Sequence, residues 1–216
     1  MRISRLRMAA GILSCTMALG LAGCGTAQQQ PSAEDKAAAD AARAANEARG
    51  VAEASLGKQA EILSQGDLAL NGRKQMLVAN RISTGAQPSK GDGIPSPILV
   101  TRAAVLEKND GKWSQILLCD EHLKNPNGYL GGSIDARATG WRLEYVQDAK
   151  DGLEMKFTPA PQIEAGYKNS DGYQQPLPTF NVRWNKDTKR YQSFDASHDK
   201  YLSERPLLYL PESTLK

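Results

Sequence analysis

The sequence predicts a mainly β protein: an antiparallel sandwich or open barrel of sequential hairpins, preceded by an alanine-rich N-terminal helix. Two observations carry this. Three segments alternate apolar and polar residues: Trp141-Arg142-Leu143-Glu144-Tyr145, Leu153-Glu154-Met155-Lys156-Phe157 and Phe180-Asn181-Val182-Arg183-Trp184. A period of two turns one face of each strand inward and leaves the other in water. Turn-forming residues separate the apolar runs, namely Asn109-Asp110-Gly111, Asp151-Gly152 and the polar stretch Asn185 to Arg190. Hairpins with one wet face assemble into an antiparallel sheet.

The N-terminus comes first in order. Arg2, Arg5 and Arg7 precede an apolar run from Met8 to about Ala22, and the small Gly23 follows. That is the layout of an export signal. At about 15 residues the run falls short of the ~20 needed to span a bilayer as a helix. The tetrad Leu21-Ala22-Gly23-Cys24 resembles the lipobox of bacterial lipoproteins. The resemblance implies cleavage before Cys24, with residues 1–23 as signal peptide, and a diacylglycerol on the Cys24 thiol. An acylated Cys24 would hold the protein to a lipid bilayer, since two or more acyl chains give stable anchoring. Gly25 stands where an aspartate would favour inner-membrane retention in enteric-type lipoproteins. The resemblance therefore implies an outer-membrane anchor, facing the periplasm or the cell surface.

Processing would change the charge and the thiol count. The chain carries 27 Lys+Arg against 24 Asp+Glu, and removal of three arginines would leave 24 of each. A neutral mature chain has no electrostatic footprint for nucleic acid, and no nucleic-acid partner is expected. Cys15 would leave with the signal and Cys24 would be lipidated, so Cys119 would be the one free thiol and no internal disulfide could form. The fold then needs a core of its own.

Residues 24–31 are polar and read as a flexible tether. Residues 32–57 form the Ala-rich helical linker. Ser32 and Asp35 have capping-box spacing, and Ala, Glu, Lys and Arg favour helix. The alanine-dense stretch runs to Arg49, with Gly50 as a C′ candidate. No large apolar side chain occurs over 32–49, so that stretch has no stripe to bury and reads as a semi-rigid spacer.

Residues 58–216 are expected to form a single β domain. Met76-Leu77-Val78-Ala79 reads as a strand, as does the run Ile98 to Leu106, with Trp113 to Cys119 as its return. The hairpins around Asp151-Gly152 and 185–190 follow. The expected inward set is Trp141, Leu143, Tyr145, Leu153, Met155, Phe157, Phe180, Val182 and Trp184, while Arg142, Glu144, Glu154, Lys156 and Arg183 face water. Core packing is also the expectation for Trp113.

Three irregular segments interrupt the strands: 83–97, with three prolines and three glycines, 123–140, and 159–178, with four prolines. Long loops in compact domains are often functional. Tyr129, Tyr167 and Tyr173 lie in or beside Gly-, Pro- and Asn-rich sequence there, and tyrosine supplies contact area with a polar tip. They are the candidate binding residues. Convergence of the three loops would define a binding face; scatter would favour a purely structural role.

The segment Gly66-Asp67-Leu68-Ala69-Leu70-Asn71-Gly72, followed by Gln75-Met76-Leu77-Val78, resembles an FG-GAP or VCBS-type β repeat. Such repeats place carboxylates or amides at alternate turn positions to bind calcium. Here Asp67 is kept, Ala69 replaces a ligand and Asn71 stands where Asp is usual. Calcium takes six to eight oxygens, so the resemblance implies a degenerate site. No cofactor and no metal site are expected.

The remaining chemistry is sparse. Cys119-Asp120-Glu121-His122 is the densest reactive cluster, but zinc needs about four ligands, and Cys119 closes the apolar run Ile116-Leu117-Leu118. Ser197-His198-Asp199-Lys200 and Ser55-Leu56-Gly57-Lys58 both match S-x-x-K, without the companion S-D-N and K-T-G motifs. No residue is picked out as catalytic. The functional reading is a membrane-anchored cell-envelope lipoprotein with a non-enzymatic binding or structural β domain, its partner an envelope protein or a glycan. The alternative is a periplasmic hydrolase using an unrecognised site near Cys119 or Ser197.

Overall fold

The computed structural model describes residues 32–82, 97–131, 138–161 and 178–206. Cys24, the signal, the tether, Tyr167 and Tyr173 lie outside the described residues. The chain divides between Asp40 and Ala41.

Helix α1 spans Ala33–Leu56. Its start is the capping box expected from the sequence. Ser32 Oγ accepts the Asp35 N–H at 3.1 Å, and Asp35 Oδ2 accepts the Ser32 N–H at 3.1 Å. Up to residue 43 every described side chain is exposed. Gly50 does not end the helix, contrary to the C′ expectation. The helix runs on to Gly57, which takes a left-handed φ of 91° and donates its N–H to Glu53 O at 2.8 Å. The reason is a stripe at i, i+4 and i+8: Ala48, Ala52 and Leu56 are buried against Met76, Val78, Ala104 and Leu106. A mid-helix glycine costs about 1 kcal/mol relative to alanine. Burial of one leucine contributes about 1.5–3 kcal/mol, so packing outweighs the glycine. Glu47 adds a polar clasp, accepting from Lys108 Nζ at 2.5 Å and Trp113 Nε1 at 2.8 Å. The first turns of α1 are thus exposed, whereas its last turns pack on the sheet. Among the described residues no helix is long and apolar enough to cross a membrane.

The rest is a curled antiparallel sheet shaped as a half-barrel, so the fold is mainly β with one N-terminal helix, as the sequence predicts. Among the described residues its strands are β1 Ala60–Gly66, β2 Lys74–Arg81, β3 Ile98–Asn109, β4 Lys112–Cys119, β5 Leu123–Asn125, β6 Gly128–Tyr129, β7 Ala138–Asp148, β8 Gly152–Pro161, β9 Phe180–Asn185, β10 Arg190–Asp195, β11 Lys200–Tyr201 and β12 Arg205–Pro206. The order is β11-β10-β9-β8-β7-β3-β4-β5-β6-β12, with β2 also on β3 and β1 on β2. β3 is the hinge of this arrangement. One edge pairs with β2, and the other is shared, Ile98–Val100 with β7 and Ala103–Asn109 with β4.

The hairpins form where the turn chemistry put them. Asp110 and Gly111 take φ of 49° and 77°, and Asn109 pairs with Lys112. Two left-handed residues match the right-handed twist of the flanking strands. Of the expected inward set, Trp141, Leu143, Leu153, Met155, Phe157, Val182 and Trp184 are buried in one core, with Tyr145 and Phe180 packed against it. Arg142 and Lys156 are exposed. Arg183 and Glu154 are half-buried because they pair on the outer face at 2.6 Å.

The curl brings β10 against the corner formed by β5, β6 and β12. Asn125 Nδ2 donates to Tyr191 O at 2.7 Å, and Ser193 Oγ donates to Leu130 O. The Asp67–Gly72 turn seats on the β7–β8 hairpin, where Leu153 N–H donates to Leu68 O at 2.7 Å. Asp67 organises that turn from within. Its two carboxylate oxygens accept the Asn71 and Gly72 N–H groups at 2.8 and 2.9 Å.

Candidate functional site

The described ends of the three irregular segments gather around Trp141. β2 ends beside β3, with Ile82 N–H donating to Leu99 O at 2.8 Å. Gly140 is the meeting point, since a Cβ there would lie 2.9 Å from Ile82 Cδ1 and 2.8 Å from Val100 O. Gly140 also pairs with Ala160, and Ala138 with Pro161, at the end of β8. At the end of β6, a Cβ on Gly131 would lie 2.8 Å from the Phe180 ring at the start of β9. Phe180 in turn sits edge-on to Trp141 at 6.3 Å, as does Phe157 at 6.1 Å. The described residues that flank 83–96, 132–137 and 162–177 therefore share one neighbourhood.

Trp141 fixes that neighbourhood. Its ring is fully buried, and Nε1 donates to Asp120 O at 2.6 Å, tying β7 to the β4–β5 turn. A buried indole keeps its N–H partnered because an unmade bond is costly. In this turn Asp120 pairs with Lys124 at 2.9 Å, and its Oδ1 accepts the His122 N–H at 3.0 Å. His122 lies 93% buried with its ring edge-on to Tyr129 at 5.1 Å. Burial holds the imidazole below its ordinary pKa, and the Asp120 carboxylate opposes that shift. Tyr129 sits on β6, buried and paired to Arg205 of β12, rather than on an open loop tip.

The nucleophile candidates do not assemble. The Cys119 side chain is fully buried in the core, and burial pushes its thiol well up, with Asp120 adding to the shift. A thiol so held is not the reactive thiolate. Ser197 and His198 do meet an aspartate, but all three belong to one exposed turn. Ser197 Oγ donates to Asp195 Oδ1 at 2.6 Å. His198 Nδ1 lies 2.7 Å from Asp195 Oδ2 and 2.9 Å from Ser197 Oγ. In a catalytic triad the serine and the carboxylate engage opposite ring nitrogens. Here both contact Nδ1, so the imidazole cannot pass a proton from one to the other. Ser55 lies on α1, its Oγ 3.5 Å from Gln115. Among the described residues no three His, Cys, Asp or Glu side chains are arranged to hold a metal.

Two further features went unread in the sequence. One is a buried polar chain through the half-barrel. Glu107 accepts from Arg73 at 2.7 Å, Gln75 at 2.7 Å and Asn71 at 3.2 Å, and Tyr191 OH donates to Gln75 Oε1 at 3.1 Å. Burial works against the Glu107 charge, yet these donors hold its carboxyl below the ordinary value. The other is a groove of about 710 Å³ between α1 and β1, lined by Ala45, Ala48, Arg49, Ile62 and Gln65 among others. Neither has a local motif: the polar chain joins residues far apart in the chain, and the groove lies between two consecutive elements. Gly131 and Gly140 carried a weak signal, as glycines flanking an irregular segment mark close approach.

No protein-family model, no curated protein and no solved structure matches this chain.

Proposed function

We propose that this protein is a cell-envelope lipoprotein, held to the bilayer through acylated Cys24, whose β domain is a non-enzymatic binding module for an envelope protein or glycan. The gathering of three loop origins around Trp141 carries the binding half of this reading. Proline- and glycine-rich connections launched from one rigid base are how sheet proteins commonly present recognition surfaces. The anchoring half rests on Leu21-Ala22-Gly23-Cys24 and the polar sequence behind it. The hydrolase alternative gains nothing from the buried Cys119 or from a serine and an aspartate that share one imidazole nitrogen.

Metabolic labelling with palmitate tests the anchor. The wild-type chain should take up label and sediment with membranes, and Cys24→Ala should lose both. Retention of label by the variant refutes the lipid assignment. Crosslinked envelopes test the binding face. A partner captured by the wild type should be lost from a Tyr167→Ala, Tyr173→Ala double variant that still sediments with membranes. Identical capture by both would turn the reading toward a structural role.

A further inference from the structure

The corner that closes the half-barrel contains a buried histidine whose packing disfavours charge. Neither ring nitrogen of His122 has a hydrogen-bond partner among the described residues. Its ring lies edge-on to Tyr129 of β6. A neutral imidazole already leaves one N–H unmet there; a protonated one would leave two donors and a charge.

The groups facing it do not rescue the charge. On its own turn are Asp120 and Glu121, whose carboxylates favour protonation, and β5 brings Lys124, which opposes it. Asp120 is already committed to Lys124 and to the His122 backbone N–H. β6 brings the Tyr129 ring. β12 pairs with β6, Arg205 standing opposite Tyr129 in the ladder.

Among the described residues, the strands of this corner are short: β5 has three residues, and β6 and β12 have two each. β6 and β12 hold together through two register pairs, as do β5 and β6. Short, sparsely paired strands open locally at lower free energy than the global fold. Tyr129 packs edge-on against His122, so parting of β6 from β5 or β12 would open the imidazole to water.

We infer that the β5–β6–β12 corner is a pH-sensitive latch, closed over neutral His122 and opened when that imidazole takes a proton from water. The sign follows from linkage. The open corner lets His122 titrate near its ordinary value of 6.5, and the closed corner does not, so the open form binds more protons below 6.5. Opening therefore rises as pH falls, and is indifferent to pH above about 7. Between pH 7.5 and 5.5 one such proton shifts the opening equilibrium by at most about tenfold. This latch goes beyond the proposed binding role and does not depend on lipidation.

Hydrogen exchange by mass spectrometry on the full chain in detergent micelles tests it, after correction for the intrinsic pH dependence of exchange. Peptides covering 119–131 and 200–206 should lose protection by up to about tenfold from pH 7.5 to 5.5, while 141–157 stays protected. His122→Phe keeps a ring against Tyr129 without a titrating group and should abolish the difference; His122→Gln serves as the second variant. Flat protection in the wild type overturns the latch. So does a pH response that survives in both variants, or one in which 141–157 opens in parallel. The chain has two histidines, so proton NMR reads the wild type independently of any variant. A His122 resonance titrating at 6.5 in the closed protein would also overturn it.

Discussion

β7 and β8 pair at ten register positions, whereas β5, β6 and β12 hold on through two pairs at each junction. Both belong to one sheet, but different forces secure them. The hairpin buries Trp141, Leu143, Leu153, Met155 and Phe157 on its inner face. The corner buries Leu123 and Leu130 too, but sets the polar Asn125 and His122 among them. Apolar burial is non-directional and tolerates small shifts. A corner held by directed bonds is firm only while every bond is made. The comparison assigns the hairpin to scaffold and the corner to movable closure.

The largest effect should come from the hairpin. Phe157→Ala removes a fully buried ring that contacts Trp141 edge-on, and loss of a core phenylalanine costs about 3–5 kcal/mol. Urea unfolding should show the whole protein losing stability in one transition, because the removed contacts are shared by the sheet. If only residues 119–131 lost protection on this substitution, scaffold and closure would have been assigned the wrong way round.

Asn125→Ala attacks the other side of the comparison. All four hydrogen-bonding positions of this amide are used. Oδ1 accepts the Asn127 and Gly128 N–H groups at 2.9 and 3.1 Å, and Nδ2 donates to Tyr191 O at 2.7 Å and Glu204 Oε1 at 2.6 Å. One residue thus shapes the β5–β6 turn and clips the corner to β10. Truncation should cost about 1–2 kcal/mol, and hydrogen exchange should locate the loss in 119–131 and 200–206. A loss spread evenly into 141–157 would mean that the corner does not open as a separate unit.

The same contrast decides what was legible beforehand. The hairpins were, because period-two alternation and Asp110-Gly111 are local signals whose consequences stay local. The corner was not. β5, β6 and β12 are two or three residues long, and nothing in Leu123-Lys124-Asn125 or Arg205-Pro206 announces a strand. They pair because Asn125 and Glu204, distant in sequence, meet in space. The end of α1 escaped for a related reason. Gly50 is a good stop signal, but the stripe Ala48, Ala52, Leu56 matters only once β2 and β3 exist to receive it. Of the three tyrosines read as loop contacts, Tyr129 lies under a strand pair, a placement fixed by β12 from more than seventy residues away.

The smallest effect belongs to a turn lying in neither region, and it serves as the control for both. Among the described residues, the side chains of Asp195, Ser197 and His198 bond among themselves and with the backbone of their own turn. Bonds from Ser197, then from His198, hold the Asp195 carboxyl down to about 2. A carboxyl whose pKa is depressed on folding contributes fully above its unfolded value of 3.8, and that contribution drains as pH falls toward 2. Ser197→Ala removes the first cause, so carbon NMR should show Asp195 titrating closer to 3.8. Nothing should change in the exchange of 119–131 or 141–157, because among the described residues no side-chain bond leads from this turn into either. An Asp195 titration unmoved by the substitution would mean that His198, and not Ser197, holds the carboxylate. A change in the corner would mean that β11 transmits strain along β10 to Asn125, and that closure extends further along the sheet than the β5–β6–β12 pairs.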